Sequence, residues 1–223
     1  MVANSTGNCY ICGATISKPA AKKHLLKHYG EKNGGIGCYL LKVEGMFDKR
    51  YWLYIDVPVE ETLREVDIFL RQIWLECCHH MSAFLIPKCL ELDMNRRLRT
   101  FQVGTQFFHH YDSGSTTETA LTIMGTMRRK PQEEPVILLA RNVPSLYKCA
   151  NCGKTAEYIN RELMYQTDDM FFCEECHGTE EDDNYMMLPI TNSPRMGECG
   201  YCGERDTFAF DPHSLLLTKE LFL

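Results

Sequence analysis

The strongest pattern of apolar and polar positions runs from Tyr51 to Ile73. In "YWLYIDVPV" (51–59), Tyr51, Leu53, Ile55 and Val57 alternate with Trp52, Tyr54 and Asp56. A period of two predicts a strand with one buried face. Paired with "CYLLKVEG" across "MFDKR", it predicts a hairpin. The period then lengthens. Leu63, Val66, Leu70 and Ile73 recur at helical spacing, and Thr62 with Glu65 has the form of a capping box, which predicts an amphipathic helix packed on the hairpin. Beyond it, "MSAFLIP" predicts a further strand. "FQVGTQFFHHYDSGSTTETALTIMGTM" predicts two long strands joined by a turn at "DSGS", and "PVILLA" a short buried strand.

The flanks have a different texture. "GEKNGGIG" (30–37) is a glycine-rich linker, and from Lys148 onward the chain turns to cysteine pairs, acids and turns. The expected organisation is α+β: a central antiparallel sheet with a packed helix over residues 36–146. An N-terminal zinc finger (1–30) would precede it, and a four-cysteine zinc ribbon with a C-terminal tail (147–223) would follow.

The 223 residues, 44% hydrophobic and 24% charged, are ordinary for a globular protein. No apolar run approaches the roughly 18 residues that span a bilayer. The opening "MVANSTGNCYIC" lacks a basic patch followed by an apolar segment, so no secretory signal is expected. These features predict a cytoplasmic protein with no membrane partner.

In that compartment disulfides rarely persist, so the 12 cysteines call for another explanation. Four Cys-x2-Cys pairs stand out: Cys9/Cys12, Cys149/Cys152, Cys173/Cys176 and Cys199/Cys202. Two thiolates on one tight turn supply half of a tetrahedral zinc site. The first pair is completed by His24 and His28, which a helix through "AAKKHLLKH" would place one turn apart on one face. The second and third pairs form C-x2-C-x20-C-x2-C, a four-thiolate site for zinc, although iron accepts the same ligands. Two zinc ions are therefore expected. A third near Cys199 and Cys202 would need partners from elsewhere, with His213, His177 and Cys38 as candidates.

Charge is uneven along the chain. Lys18, Lys22, Lys23 and Lys27 crowd the first module, whereas 168–183 carries eight acids and no base. The basic finger could contact nucleic acid through Lys22, Lys23 and Lys27. The positions that read bases in such fingers fall on Ser17, Ala20 and Lys23, a poor reading surface. A protein partner is the leading expectation.

An enzyme would draw on Cys77, Cys78 and His80 in "ECCHHMSAF", with Asp112 and Glu118 as acid–base groups. The plainer expectation is core cysteines, a histidine near a helix C-terminus and a hairpin turn at Asp112. Several stretches together, "YWLYIDVPVEETLREVDIFLRQIWLECCHHMSAF", "YDSGSTTE", "ILLARN" and "LPITNSPRMGECGY", resemble the Ri-plasmid open-reading-frame-three family. The resemblance is to its archaeal members with zinc modules, and it covers most of 9–203. It implies an α+β core and no established catalytic role. His80 matches a histidine of the family. Tyr111-Asp112-Ser113-Gly114 stands where the family usually has Tyr-Asp-Phe-Gly, and Cys202 is outside the family pattern.

Overall fold

The computed structural model describes residues 5–28, 35–87, 90–178 and 186–203. His213 and the acids of 180–183 lie outside them. The described chain divides into two compact units, the first built from residues up to 70 and 81–143, the second from 71–80 and 144–203.

The first unit is a nine-stranded, wholly antiparallel sheet. Its strands are β1 (Thr6–Cys9), β2 (Thr15–Ser17), β3 (Ile36–Gly45), β4 (Trp52–Pro58), β5 (Ser82–Ile86), β6 (Leu90–Leu92), β7 (Gln106–Tyr111), β8 (Thr117–Arg129) and β9 (Ile137–Asn142). They lie in the order β2-β1-β9-β4-β3-β8-β7-β5-β6. The predicted hairpin is β3–β4, and the predicted long pair joined at "DSGS" is β7–β8. The finger was expected as a separate module over residues 1–30. Instead, β1 pairs with β9 from Gly7↔Asn142 to Cys9↔Ala140, so the sheet continues into the finger.

Two helices, α1 (Lys18–Leu26) and α2 (Leu63–Leu70), cover opposite faces of this sheet. Residues directly opposite each other on antiparallel strands point to the same side. One side carries Leu41, Val43, Leu53, Ile55, Leu121, Phe107 and His109. Helix α2 lies on it, because Asp67 Oδ1 accepts the Ser82 hydroxyl at 2.6 Å and sits 2.7 Å from Nε2 of the fully buried His109. The carboxylate stands between serine and histidine, an order that ties helix to sheet and does not activate the hydroxyl. The other side carries Cys38, Leu40, Trp52 and Tyr54, which share one core with Cys9, Ile11, Ile16, Ala21 and Leu25 of the finger. On that side Lys18 Nζ lies 2.6 Å from Glu44, and hydrogen bonds from Lys18 and Lys42 hold the Glu44 carboxyl below its usual range although burial works against them.

The expectation that β4 has a single buried face therefore fails. All seven of its residues are buried, because each face has its own helix. The polar member, Asp56, is matched by Arg129 Nε at 3.0 Å, and both side chains are fully buried. Burying a charge is tolerable only with such a partner. A second tight fit fixes the finger strand. A Cβ on Gly7 would sit 2.3 Å from the Arg141 carbonyl and 2.5 Å from the Trp52 ring, whose Nε1 donates to Ser5 Oγ at 2.7 Å. Only glycine lets β1 lie across that indole.

The second unit begins with a π-helical turn, Arg71–Leu75, followed by the segment 76–80. Its sheet has three short antiparallel strands, β10 (Tyr158–Asn160), β11 (Phe171–Phe172) and β12 (Met187–Pro189), in the order β11-β10-β12. Ser193 Oγ donates to the Trp74 carbonyl at 2.6 Å, and Tyr201 OH to the Ile73 carbonyl at 3.5 Å. These bonds fasten the π turn to the last described segment.

Replacing Asp56 with alanine strands the Arg129 charge in the core. The expected loss is roughly 3–5 kcal/mol of unfolding free energy, read from urea melts, whereas Arg50→Ala, whose exposed pair is with Asp48, should change stability by less than about 1 kcal/mol.

Candidate metal centres

Each Cys-x2-Cys turn that leads a quartet is shaped by hydrogen bonds before any ligand is considered. In "CYICGA" the Gly13 amide donates to the Cys9 carbonyl at 2.9 Å, and the Cys9 amide to the Ala14 carbonyl at 2.9 Å. In "CANCGK" the same two bonds recur, Gly153 to Cys149 at 2.9 Å and Cys149 to Lys154 at 2.8 Å. Gly13 and Gly153 have φ of 74° and 73°, the left-handed region where a side chain costs energy. The sequence Cys-x2-Cys-Gly occurs three times, at Cys9, Cys149 and Cys199, and at the first two it forms this same turn with the sulfurs brought together.

The first quartet is Cys9, Cys12, His24 and His28. Pro19 opens α1, and His24 stands in its last turn. The helix ends at Leu26, and the His28 amide still reaches the Leu25 carbonyl at 3.0 Å, which keeps the two imidazoles adjacent. Cys9 Sγ is 3.6 Å from His28 Nε2, Cys12 Sγ 3.4 Å from His24 Nε2, and the two Nε2 atoms are 3.1 Å apart. Zinc bonds of about 2.3 Å to sulfur and about 2.0–2.1 Å to nitrogen in a tetrahedron require edges of about 3.6 Å for S···N and about 3.3 Å for N···N. The donors fit that ion. Burial and Lys27 lower the His24 pKa, which keeps the ring neutral and able to ligate. Burial pushes the Cys9 thiol up to about 11 without a cation.

The four-cysteine quartet, Cys149, Cys152, Cys173 and Cys176, is equally drawn together, with Cys152 and Cys173 sulfurs 3.6 Å apart where a tetrahedron needs about 3.8 Å. Tyr147 stacks on Phe171 at 4.0 Å beside it. Thiols packed this closely cannot all ionise alone. Hydrogen bonds with Cys152 and Cys173 push Cys176 up to about 12. Cys149, despite desolvation, is lowered to about 6 by backbone amides at Cys173, Cys152 and Asn151. All described cysteines are free thiols.

A third site, left open for the pair Cys199 and Cys202, takes form with other partners than those named for it. Cys77, Cys78 and His80 meet Cys199. Cys202 does not join; its thiol lies 3.3 Å from the Gly200 carbonyl. Of the other candidates for that pair, His177 stacks on Tyr158 at 4.5 Å, and Cys38 is buried in the first unit with its thiol directed at the Ile36 carbonyl. The reading of Cys77 and Cys78 as core cysteines fails as well: neither is buried, and Cys78 is exposed. Sequence reasoning missed this group because Cys-Cys-x-His matches no familiar ligand spacing and Cys199 lies 119 residues beyond His80. The available signal was that the adjacent ligands of "ECCHH" cannot all turn to one ion and that "CGYC" has two, so neither could close a site alone.

The residues named for an acid–base site lie apart from this quartet in their bonding. Asp112 Oδ1 accepts the Gly114 amide at 2.9 Å, a turn contact, and Glu118 lies 3.7 Å from His110. On α1, Lys22, Lys23 and Lys27 are exposed, while Lys18 is held by Glu44. No described helix is long and apolar enough to cross a membrane.

No protein-family model and no curated protein matches the chain. Among solved structures it is similar to MM3350, a protein of unknown function from Methanosarcina mazei Go1, at 16% identity. The match covers 54% of this chain and 76% of that one, with a TM-score of 0.42.

Adding a methyl group at Gly153 meets nothing within 4 Å, so Gly153→Ala tests the turn alone. The left-handed backbone should cost about 1–2 kcal/mol, read as a roughly 5- to 30-fold weaker hold on metal in a chelator competition.

Proposed function

We propose that this is a zinc-binding, non-enzymatic protein that acts as an interaction or regulatory module. Cys9, Cys12, His24 and His28 hold one zinc, and Cys149, Cys152, Cys173 and Cys176 another. The observation that carries this reading is the turn shared by Cys9–Gly13 and Cys149–Gly153, each meeting its remaining donors at tetrahedral spacing. Four protein ligands leave no open position for water or substrate, which favours a structural role over a catalytic one. Two imidazoles with two thiolates suit zinc; the four-thiolate set accepts zinc or iron, and the first set weighs the pair toward zinc. Such a protein suits a reducing compartment, and a cytoplasmic place is part of the proposal. So is the resemblance to the Ri-plasmid open-reading-frame-three family, which brings no activity with it.

The residues act on the ion through protons and backbone. The raised thiols, Cys9 and Cys176, carry protons at neutral pH and release them when a cation enters, so the hold weakens as pH falls. The two modules depend on the ion to different degrees. The finger shares its core with Leu40, Trp52 and Leu139, whereas the four-cysteine turns are joined by the short strands β10 and β11, of three and two residues, and by a few local contacts such as the Ala150 amide on the Phe171 carbonyl at 2.8 Å. Treating the metal-loaded protein with a strong chelator at neutral pH should remove at least two zinc per chain, counted by elemental analysis. Amide exchange over 149–176 should rise at once while β3, β4 and β8 stay protected. A purified protein without metal, or exchange unchanged on its removal, would overturn the reading.

A second reading rests on the exposure of Lys22, Lys23 and Lys27 on and just past α1: contact with a nucleic-acid backbone, in control of a mobile element or of transcription. It predicts binding to mixed-sequence duplex that falls steeply with salt and loses about three units of salt slope when all three become alanine. No shift at low salt would dismiss it.

A further inference from the structure

We propose that Cys77, Cys78, His80 and Cys199 form a third metal centre, taking a zinc-class divalent ion, with Arg195 as the residue that balances its charge. The inference rests on the same donor chemistry as the two sites above and goes beyond them in residues, charge and place.

The geometry comes first. Cys78 Sγ lies 2.9 Å from His80 Nε2 and 3.7 Å from Cys199 Sγ; His80 Nε2 lies 3.1 Å from Cys199 Sγ, and Cys77 Sγ 3.8 Å from Cys78 Sγ. The two S···S distances match the edge of about 3.8 Å that a zinc tetrahedron demands, and the histidine is drawn in closer than the S···N edge of about 3.6 Å. Four donors of the right type thus converge from two segments of the second unit, within 4.8 Å of one another.

The backbone is bent to make this meeting. Among the described residues three non-glycines have positive φ, and two belong here: His79 at 63° and Cys199 at 47°. The reversal at His79 returns His80 to Cys78 and sends the His79 ring outward, where it is 92% exposed. Arg71 holds the loop from below, donating to the His80 carbonyl at 2.8 Å and to Glu76 Oε2 at 2.8 Å, while Glu76 Oε1 accepts the His79 amide at 2.6 Å. Backbone held in costly conformations persists where the surroundings over-determine it, and such places concentrate at ligand sites.

The charge supports the same conclusion. Three thiolates and a neutral imidazole around a divalent ion leave a net charge of minus one. Arg195 is fully buried, and its Nη2 donates toward Cys77 Sγ at 3.4 Å. A guanidinium beside a thiolate offsets part of that charge. Ser193 sets the arginine in place: its Oγ accepts the Arg195 amide at 2.9 Å while donating to Trp74. The centre would therefore join the segment 71–80 to the segment around Cys199, which are far apart in sequence but belong to one unit.

The test is metal stoichiometry, first on the unaltered full chain. After saturation with zinc and removal of loose ion, elemental analysis should give three per chain. Cys199→Ser and Cys78→Ser should each give two, and Cys202→Ser should keep three. Cobalt substitution provides a second readout: the visible spectrum of the unaltered protein should contain a three-sulfur, one-nitrogen component that vanishes in Cys199→Ser. Arg195→Gln should keep this component but release its cobalt to a chelator at least tenfold faster, with the other two sites unmoved. Two ions per chain in the unaltered protein, with no change in Cys199→Ser, would overturn the third centre and leave the first two standing. No bound ion at all would overturn both readings.

Discussion

Thiols held a few ångströms apart repel one another once they ionise, and the second unit is arranged around two gatherings that each hold several of them. Without a cation the thiols must keep their protons, as the rise of Cys176 and Cys78 to about 12 makes visible. For Cys78 the principal cause is its hydrogen bond with Cys199. Backbone amides partly prepare the site in advance, most clearly at Cys149, whose thiol falls to about 6 against the cost of desolvation. A divalent ion outweighs the repulsion between the thiolates and acts in the same direction as those amides. The turns that bear the cysteines are therefore meaningful only as halves of a coordination shell, and their glycines are the backbone's share of the arrangement.

The first unit does not lean on coordination in the same way. Its sheet is closed on one face by α1 and on the other by α2, and two of its buried carboxylates are paired, Asp56 with Arg129 and Asp67 with Ser82 and His109. The finger contributes strands to that sheet and side chains to that core. A metal there consolidates a module already packed on a large apolar surface. This is a different situation from a free-standing finger, where the ion supplies most of the folding free energy. Helix α1 also has one side committed, with Ala21 and Leu25 buried and Lys18 bound to Glu44, so only its outer side with Lys22, Lys23 and Lys27 faces water.

Legibility in the sequence followed the range of the signal. The hairpin β3–β4, helix α2, the pair β7–β8 and the strand β9 were readable, because each is written in a local period of two or 3.6 residues. The first two quartets were readable because turn and ligand sit within a short stretch. What escaped depended on distant parts of the chain. That β4 would be buried on both faces could not be seen in Tyr51–Val57, since the second cover is α1, some thirty residues earlier. That β1 would join β9 hinged on Gly7 fitting over Trp52, a contact between remote positions. Cys77, Cys78 and His80 were set aside as a helix end because their fourth companion, Cys199, stood in a motif whose other cysteine, Cys202, has no part in the group.

The order of the large sheet has one more consequence. Among the described residues its outermost strands are β2 and β6, each of three residues, while the long strands β3 and β8 lie side by side in the middle. An open sheet normally presents a row of unsatisfied amides and carbonyls along each border, an invitation to fibril growth. Here each border is too brief to template a neighbour, so a wide antiparallel array can exist in one chain without inviting another to extend it.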